Sequence, residues 1–199
     1  MRKFGLIGYP LSHSFSKKYF SEKFEKEGIE DAQYELYPLK AIEELPRLIK
    51  TNPALVGLNI TIPYKEQVIP FLDELDEKAE TIGAVNTIIL ENGKLKGHNT
   101  DYDGFKSSLI KWLGSKPLPE KALILGTGGA SKAVKAVLDD LAIQNNFVSR
   151  TPIEGQLTYS ELENSEIFNT SNLIINTSPL GMSPNTEALP DLPYDQLTE

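Results

Sequence analysis

The sequence has no cysteine, only two histidines, and no apolar run long enough to cross a membrane. The lack of cysteine excludes disulfides, thiolate metal sites and cysteine nucleophiles together. His13 and His98 are interpreted as structural or surface residues, so no metal site is expected. Basic residues are outnumbered by acidic ones, 20 against 28, which gives a net charge of −8. This charge argues against a nucleic-acid partner, because phosphate binding needs clustered Lys and Arg.

No targeting signal is expected at the start of the chain. The apolar part of residues 1–10 is too short for a signal peptide, so we expect a cytoplasmic protein with no membrane partner. The 199 residues are enough for one large or two small domains, and 40% hydrophobic with 24% charged residues is an ordinary globular balance.

Apolar patterning predicts alternating strands and helices in the first half of the chain. Strands are predicted at 3–8, 33–39 and 55–61, separated by amphipathic helices at 15–27 and 41–50. This alternation indicates βαβ units and a mainly parallel sheet.

The pattern changes after residue 84. Asn92 and Gly93 predict a two-residue hairpin turn, and an amphipathic helix is predicted over 102–113. Residues 114–120 hold one Gly and two Pro and are the predicted linker. The fold class is therefore α/β with two domains, residues 1–113 and 114–199.

The second domain restarts with strand and helix signals. Strands are predicted at 121–126, 146–150 and 172–177, and an apolar helical stripe runs from 130 to 141. The segment ILGTGGAS, residues 124–131, follows the first of these strands and opens the helix. Such a loop brings backbone N–H groups close to a pyrophosphate, although a plain strand-to-helix connection is the alternative.

The candidate pyrophosphate loop departs from the usual G-x-G-x-x-G pattern, because Ser131 stands at the third glycine position. Its members are Gly126, Thr127, Gly128, Gly129, Ala130 and Ser131. The next strand ends in Ser149, Arg150 and Thr151, with no acidic residue to bind the ribose 2′-hydroxyl of NAD. Arg at this place favours NADP, and a solvated surface Arg is the alternative.

Polar side chains also gather where strands of the first domain end. In NITIPYK, Asn59 and Thr61 are predicted on one face of a strand, with Ile60 and Ile62 on the other. Lys65 follows at a helix start, where a positive charge is poorly placed electrostatically. This favours Lys65 as a proton donor and acceptor over a solvated lysine.

Two further groups have two interpretations each. Ser14 and Ser16 follow the first strand and could hold a carboxylate or hydroxyl of a small ligand, or cap a helix. Asp101 precedes a helix and could serve as its cap, as a catalytic group, or as both.

Seven short motifs occur in one order along the chain: S-F-S at 14–16, N-I-T-I-P-Y-K at 59–65, G-A-V-N-T at 83–87, N-T-D at 99–101, G-T-G-G-A-S at 126–131, S-R-T at 149–151 and N-T-S-P-L-G-M at 176–182. In order and spacing the set resembles the shikimate dehydrogenase family over the whole chain. The resemblance implies an NADPH-dependent reduction of 3-dehydroshikimate to shikimate, in aromatic amino acid biosynthesis. It also implies an N-terminal substrate-binding domain and a C-terminal Rossmann-like nucleotide-binding domain.

The resemblance further implies roles for single residues. Ser14 and Ser16 match the ligands of the substrate carboxylate. The ligands of the ring hydroxyls are matched by Asn59, Thr61, Asn86 and Asp101. Lys65 matches the acid/base at the carbonyl oxygen, and Asp101 would orient that oxygen or Lys65. On the cofactor side the matches are Glu77, residues Gly126 to Ser131, Ser149, Arg150 and Thr151.

Three departures from the family pattern stand out. Ser149 replaces the usual Asn, and Glu154 falls where a second basic residue often helps to hold the 2′-phosphate. The chain as given also ends before a Tyr and a G-x-x-M-x-x-Q-A helix that the family usually carries, so the nucleotide domain is expected to be incomplete.

Three alternatives to a shikimate dehydrogenase stay open at this point. A quinate/shikimate dehydrogenase that uses NAD is disfavoured by Arg150, and a methylene-tetrahydrofolate dehydrogenase type is disfavoured by the S-F-S and N-T-D motifs. A dehydrogenase-like module that binds ligand without turnover is the third. The sequence also leaves the oligomeric state open, a homodimer included.

Overall fold

The computed structural model describes residues 1–12, 14–163 and 165–197, and the chain divides into two compact units, residues 1–100 and 101–199. This division lies before the predicted linker at 114–120. The helix that precedes the linker belongs to the second unit, because its Leu109 and Leu113 share a hydrophobic cluster with Ile124 and Leu138. Within the described ranges, no helix is both long and apolar enough to span a bilayer.

The first unit is built on a six-stranded sheet in the order β2-β1-β3-β5-β6-β4. Its strands are β1 Arg2–Gly8, β2 Ala32–Pro38, β3 Leu55–Ile60, β4 Glu74–Leu75, β5 Thr87–Glu91 and β6 Lys94–His98. Its α-helices are α1 Ser16–Lys26, α2 Leu45–Thr51, α3 Tyr64–Gln67 and α4 Glu77–Ile82. Short 3₁₀ helices lie at Ile42–Glu44 and Ile69–Phe71. Strands β1, β2 and β3 are parallel, whereas β5 runs antiparallel to both β3 and β6.

The two faces of this sheet carry separate cores. On one face, Phe20 and Phe24 of α1 pack against Phe4 and Tyr34. The larger core on the other face contains Ile7, Leu45, Leu58, Ile60, Tyr64, Val68 and Ile88. Burial of both faces explains why β1 reads as a nearly continuous apolar run.

Two local predictions have different outcomes. The hairpin at Asn92 and Gly93 is confirmed, with φ values of 52° and 77° that suit a type I′ turn. The prediction that Ile60 and Ile62 share one face of the strand is wrong for Ile62. Ile62 is 60% exposed, because β3 ends at Ile60 and the strand alternation no longer applies beyond it.

The second unit contains a parallel three-stranded sheet in the order β8-β7-β9. Its elements are α5 Asp101–Leu113, β7 Lys121–Leu125, α6 Gly129–Asp140, β8 Gln144–Val148, α7 Glu166–Thr170 and β9 Leu173–Asn176, with 3₁₀ turns at Ser160–Leu162 and Tyr194–Gln196. Strand β8 lies on one side of β7, and β9 lies on the other side. Strand order therefore reverses at the carboxyl end of β7, which is where α/β sheets bind ligands.

Candidate active site

Two of the predicted ligand groups follow neighbouring strands of the first unit. Ser14 and Ser16 come after β1, and the Ser16 N–H donates to Ser14 Oγ at 3.3 Å. Thr61 follows β3, and its N–H donates to the carbonyl of Ile7 at 2.9 Å. A Cβ added at Gly8 would lie only 2.4 Å from Thr61 Cγ2, so these strand ends are in close contact. The carboxyl ends of β1 and β3 thus place both groups at one edge of the sheet.

Asn59 is held by hydrogen bonds at both ends of its amide. It lies opposite Thr87 in the β3–β5 pair, and its Nδ2 donates to Thr87 Oγ1 at 3.3 Å. Its Oδ1 accepts the Tyr34 hydroxyl at 2.8 Å. A primary amide has two donor and two acceptor positions, so one of each is available to a ligand beyond these two bonds.

Asn86 is buried and committed to protein partners. Its Oδ1 accepts the Thr100 N–H at 3.0 Å and the Thr87 hydroxyl at 3.1 Å, while its Nδ2 donates to Thr100 Oγ1 at 2.9 Å. Its main chain joins β3 to the hairpin, because the N–H of Ile60 donates to its carbonyl at 2.8 Å. Tyr34, Asn59, Thr87, Asn86 and Thr100 therefore form one hydrogen-bonded polar ladder. Within this ladder, the side chain of Asn86 connects Thr87 to Thr100 and has a structural role.

Lys65 is positioned by the short helix α3 and the residues around it. Its carbonyl accepts the N–H of Val85 at 2.7 Å, which ties α3 to the segment before β5. The preceding residue, Tyr64, is buried, and its hydroxyl donates to the carbonyl of Leu39 at 2.7 Å. Two sequence-distant anchors thus fix the backbone of a four-residue helix that could not persist alone.

Asp101 begins α5 and is the first residue of the second unit. The segment before it is anchored in the first unit, where buried Asn99 donates its Nδ2 to the carbonyl of Ala84 at 2.9 Å. Asp101 and Asp103 both lie in the first helical turn, a favourable place for negative charge. The helix dipole alone therefore explains an acidic residue at this position.

Glu77 is exposed at the start of α4, just after the helix cap Asp76. Asp76 Oδ1 accepts the N–H of Ala79 at 2.6 Å, and its Oδ2 lies 2.7 Å from Nδ1 of His98. His98 therefore has a structural partner, and its buried Nε2 has none among the described residues. His13 lies outside the described residues.

The candidate pyrophosphate loop joins β7 to α6. Gly126 has φ +105°, and an added Cβ would lie 3.1 Å from Thr177 Oγ1, so glycine is required by both conformation and space. Gly128 precedes α6 in extended conformation, and an added Cβ there would meet nothing within 4 Å. This open space lies at the N-terminus of a twelve-residue helix, where an anion is favoured.

Ser131 fills the third glycine position without obstructing the loop. Its side chain is fully buried, and its Oγ donates to the carbonyl of Gly128 at 2.6 Å. Its hydroxyl therefore braces the loop through this internal hydrogen bond.

The predicted 2′-phosphate residues follow β8. The strand ends at Val148, two residues earlier than predicted, and pairs in parallel with Leu125 at the end of β7. Ser149 is buried and its Oγ accepts the N–H of Thr151 at 3.2 Å. Arg150 is exposed between them. Because parallel strands end at the same edge, Arg150 leaves the sheet beside the glycine loop.

Sequence reasoning missed three members of the polar ladder, Tyr34, Thr87 and Thr100, the last of which was noted only as part of N-T-D. Tyr34 lies within the alternating strand 33–39, where an aromatic residue usually indicates core packing, and Thr87 was seen only as part of G-A-V-N-T. A weak signal was available for Thr87, since it follows Asn86 at the start of a hairpin strand. Nothing in the sequence marked the hydroxyl of Tyr34.

The chain is similar in sequence and in structure to proteins named shikimate dehydrogenase. The family model for the shikimate dehydrogenase substrate binding domain matches residues 6–88. A protein of Clostridium beijerinckii named shikimate dehydrogenase (NADP(+)) is 40% identical over 202 residues, which cover 96% of this chain and 72% of that protein.

Two solved structures are also similar. Shikimate dehydrogenase 1 of Peptoclostridium difficile has a TM-score of 0.81 at 38% identity, and the match covers 93% of this chain and 69% of that chain. Shikimate 5-dehydrogenase of Thermus thermophilus, solved in complex with NADP(H) and shikimate, has a TM-score of 0.78 at 31% identity. The match covers 98% of this chain and 75% of that chain. The chain belongs to the shikimate dehydrogenase family.

Proposed function

We propose that the chain catalyses the reversible NADPH-dependent reduction of 3-dehydroshikimate to shikimate, a step of aromatic amino acid biosynthesis. The observation that carries the proposal is the polar edge of the first unit, which lies at the carboxyl ends of the neighbouring strands β1 and β3. Asn59 is the penultimate residue of β3, Ser14 and Ser16 follow β1, and Thr61 and Lys65 follow β3. A polyhydroxylated ring with a carboxylate needs several uncharged donors and acceptors together with one cation, and this edge supplies them. The Clostridium beijerinckii relative and the Thermus thermophilus complex support the same reaction.

Substrate binding is divided between two kinds of group. The Ser14 and Ser16 hydroxyls bind the carboxylate, as short hydroxyl donors at the end of β1. Asn59 binds a ring hydroxyl, because the donor and acceptor positions that its amide offers match a group that both donates and accepts. Thr61 adds a second hydroxyl ligand from the same strand end, and Asn86 and Asp101 complete the proposed set.

The chemistry needs a proton at the oxygen and a hydride at the carbon. NADPH, when bound, supplies the hydride. Lys65 gives a proton to the carbonyl oxygen in the reducing direction and takes it from the hydroxyl in the oxidising direction. Asp101 follows the anchored pair Asn99 and Thr100 in the chain, and we assign it to orienting the reacting oxygen or Lys65.

The second unit provides the groups for the cofactor. The open N-terminus of α6 and the outward backbone of residues 126–131 fit a pyrophosphate. Arg150 fits the 2′-phosphate, and Thr151 lies next to it. Ser149 supports their turn through its bond to the Thr151 N–H. Glu77, exposed at the start of α4, is a further proposed cofactor contact.

The test is an activity assay with four combinations, shikimate or quinate with NADP or NAD. The proposal predicts turnover that is fastest with shikimate and NADP, and NADP is preferred because Arg150 has no acidic neighbour at the strand end. Equal or better turnover with quinate and NAD would favour a quinate dehydrogenase. Binding of shikimate without turnover in any combination would identify a non-catalytic module.

We also propose that the protein is located in the cytoplasm and forms a homodimer. Light scattering after size-exclusion chromatography tests the dimer directly, and a mass equal to one chain of 22.1 kDa would contradict it.

A further inference from the structure

We infer that Tyr34 is a positioning residue for substrate recognition, because its hydroxyl holds the side-chain amide of the proposed ligand Asn59. The inference rests on the proposed function. Tyr34 lies on β2, its side chain is 3% exposed, and its ring stacks on Phe20 at a centroid distance of 4.4 Å and an interplanar angle of 12°. The ring is thus fixed by packing, and its hydroxyl is delivered to a defined place.

The Tyr34 hydroxyl donates to Asn59 Oδ1 at 2.8 Å. Burial raises the pKa of Tyr34 to about 12, so the phenol stays protonated near neutral pH and keeps the proton that it donates to Asn59.

The direction of these bonds is set at the other end of the ladder. The Thr100 N–H can only donate, so the atom of Asn86 that it meets at 3.0 Å must be the oxygen. Thr87 then donates to that oxygen and accepts from Asn59 Nδ2. As a result Asn59 turns its Oδ1 toward Tyr34, which must donate.

This order has a consequence for ligand binding. The amide of Asn59 has two nearly symmetric orientations, which differ in whether its donor or its acceptor faces a given atom. Thr87 and Tyr34 hold one of them from opposite sides. Without the Tyr34 hydroxyl, Oδ1 loses its fixed donor, and the contact with Thr87 alone orients the amide.

The test compares Tyr34→Phe with Tyr37→Phe. Phe at position 34 keeps the ring on Phe20 and removes only the hydroxyl. Tyr37 lies on the same strand but on the opposite face, with its ring against Gly5, so its variant is a matched control for loss of one phenolic hydroxyl.

For Tyr34→Phe we expect the KM for shikimate to rise about three- to tenfold, the worth of one neutral hydrogen bond, while the KM for NADP stays unchanged. For Tyr37→Phe we expect neither KM to change. In an Asn59→Ala background the effect of Tyr34→Phe should shrink, since the group that it positions is gone. Full additivity of the two substitutions, or a wild-type KM in Tyr34→Phe, would overturn the inference.

A second readout does not depend on turnover. In ¹⁵N-correlated NMR spectra, the Asn59 side-chain NH₂ signals should shift and exchange faster with water in Tyr34→Phe, and should be unchanged in Tyr37→Phe. If the wild-type chain neither turns over nor binds shikimate, the proposed function is wrong, and the NMR comparison still tests whether Tyr34 positions Asn59. Unchanged Asn59 signals in Tyr34→Phe would show that Tyr34 does not position this amide.

Discussion

Replacing Thr87 with Val removes the centre of the polar ladder while keeping the shape of the side chain. Thr87 Oγ1 accepts from Asn59 Nδ2 at 3.3 Å and donates to Asn86 Oδ1 at 3.1 Å. In Thr87→Val, Asn86 keeps its two contacts with Thr100, but Asn59 Nδ2 is left without its protein partner.

The expected cost follows from this difference. A partly buried donor left unsatisfied costs about 1–3 kcal/mol, whereas Asn86 Oδ1, with a remaining donor, adds little. For a chain of this size the free-energy loss corresponds to a fall in Tm of about 2–4 °C per kcal/mol. The KM for shikimate should rise as well, since Asn59 loses one of the two bonds that orient its amide.

The assay combines thermal unfolding with steady-state kinetics, and Thr51→Val is the control. Thr51 lies at the end of α2, and its exposed hydroxyl donates to the carbonyl of Arg47 at 3.0 Å. We expect the control to change the free energy of unfolding by less than about 0.5 kcal/mol. If Thr87→Val matches the control in both Tm and KM, the ladder neither stabilises the unit nor orients Asn59, and the reasoning is wrong.

Three further predictions concern Arg150, the glycine loop and the titration of Tyr34. Arg150→Ala should weaken NADP binding by about ten- to a hundredfold and barely affect NAD, because a charge-assisted hydrogen bond is worth about 1.5–3 kcal/mol; calorimetric titrations that show equal losses for both would exclude contact with the 2′-phosphate. Gly126→Ala should destabilise the chain by about 1–3 kcal/mol, because its φ of +105° disfavours a side chain, whereas Gly128→Ala should keep the Tm and weaken NADP alone; equal Tm values for the two variants would contradict this. The pKa of Tyr34 is about 12 in the folded chain and about 10 when unfolded, so its contribution is complete below about pH 10 and is lost as pH rises toward 12; the stability of the wild type relative to Tyr34→Phe, measured by urea unfolding, should fall in that window, and a constant difference would refute it.

Much of the fold could be predicted because its signals are local. The glycine loop between an apolar strand and an apolar helical stripe predicts the strand-loop-helix of the nucleotide unit, and Asn92-Gly93 predicts the hairpin. The domain boundary was harder, because the linker composition at 114–120 was the strongest local signal while the packing of α5 on α6 is tertiary. Helices α4 and α7 have six and five residues and carry too little periodicity to be predicted.

The site was predictable only in part. Polar residues at strand ends pointed to Asn59, Thr61 and Lys65, because the carboxyl edge of a parallel sheet collects ligands. Tyr34 and Thr87 join Asn59 across 25 and 28 residues of sequence, and those contacts depend on strand order and register. Ser131 resembled a defect in the glycine pattern, and only its burial against Gly128 explains why it is tolerated.

The most direct test of the central claim is the kinetics of Lys65→Met with shikimate and NADP, with Lys50→Met as the control. Lys50 is an exposed lysine in the last turn of α2, so its variant removes one surface charge of the same kind. If Lys65 transfers the proton, kcat should fall by about 10²–10⁴ in Lys65→Met while the Kd for shikimate from calorimetry changes much less. Lys50→Met should keep wild-type kcat. Nearly full kcat in Lys65→Met would contradict the account, because the proton would then be transferred by another group.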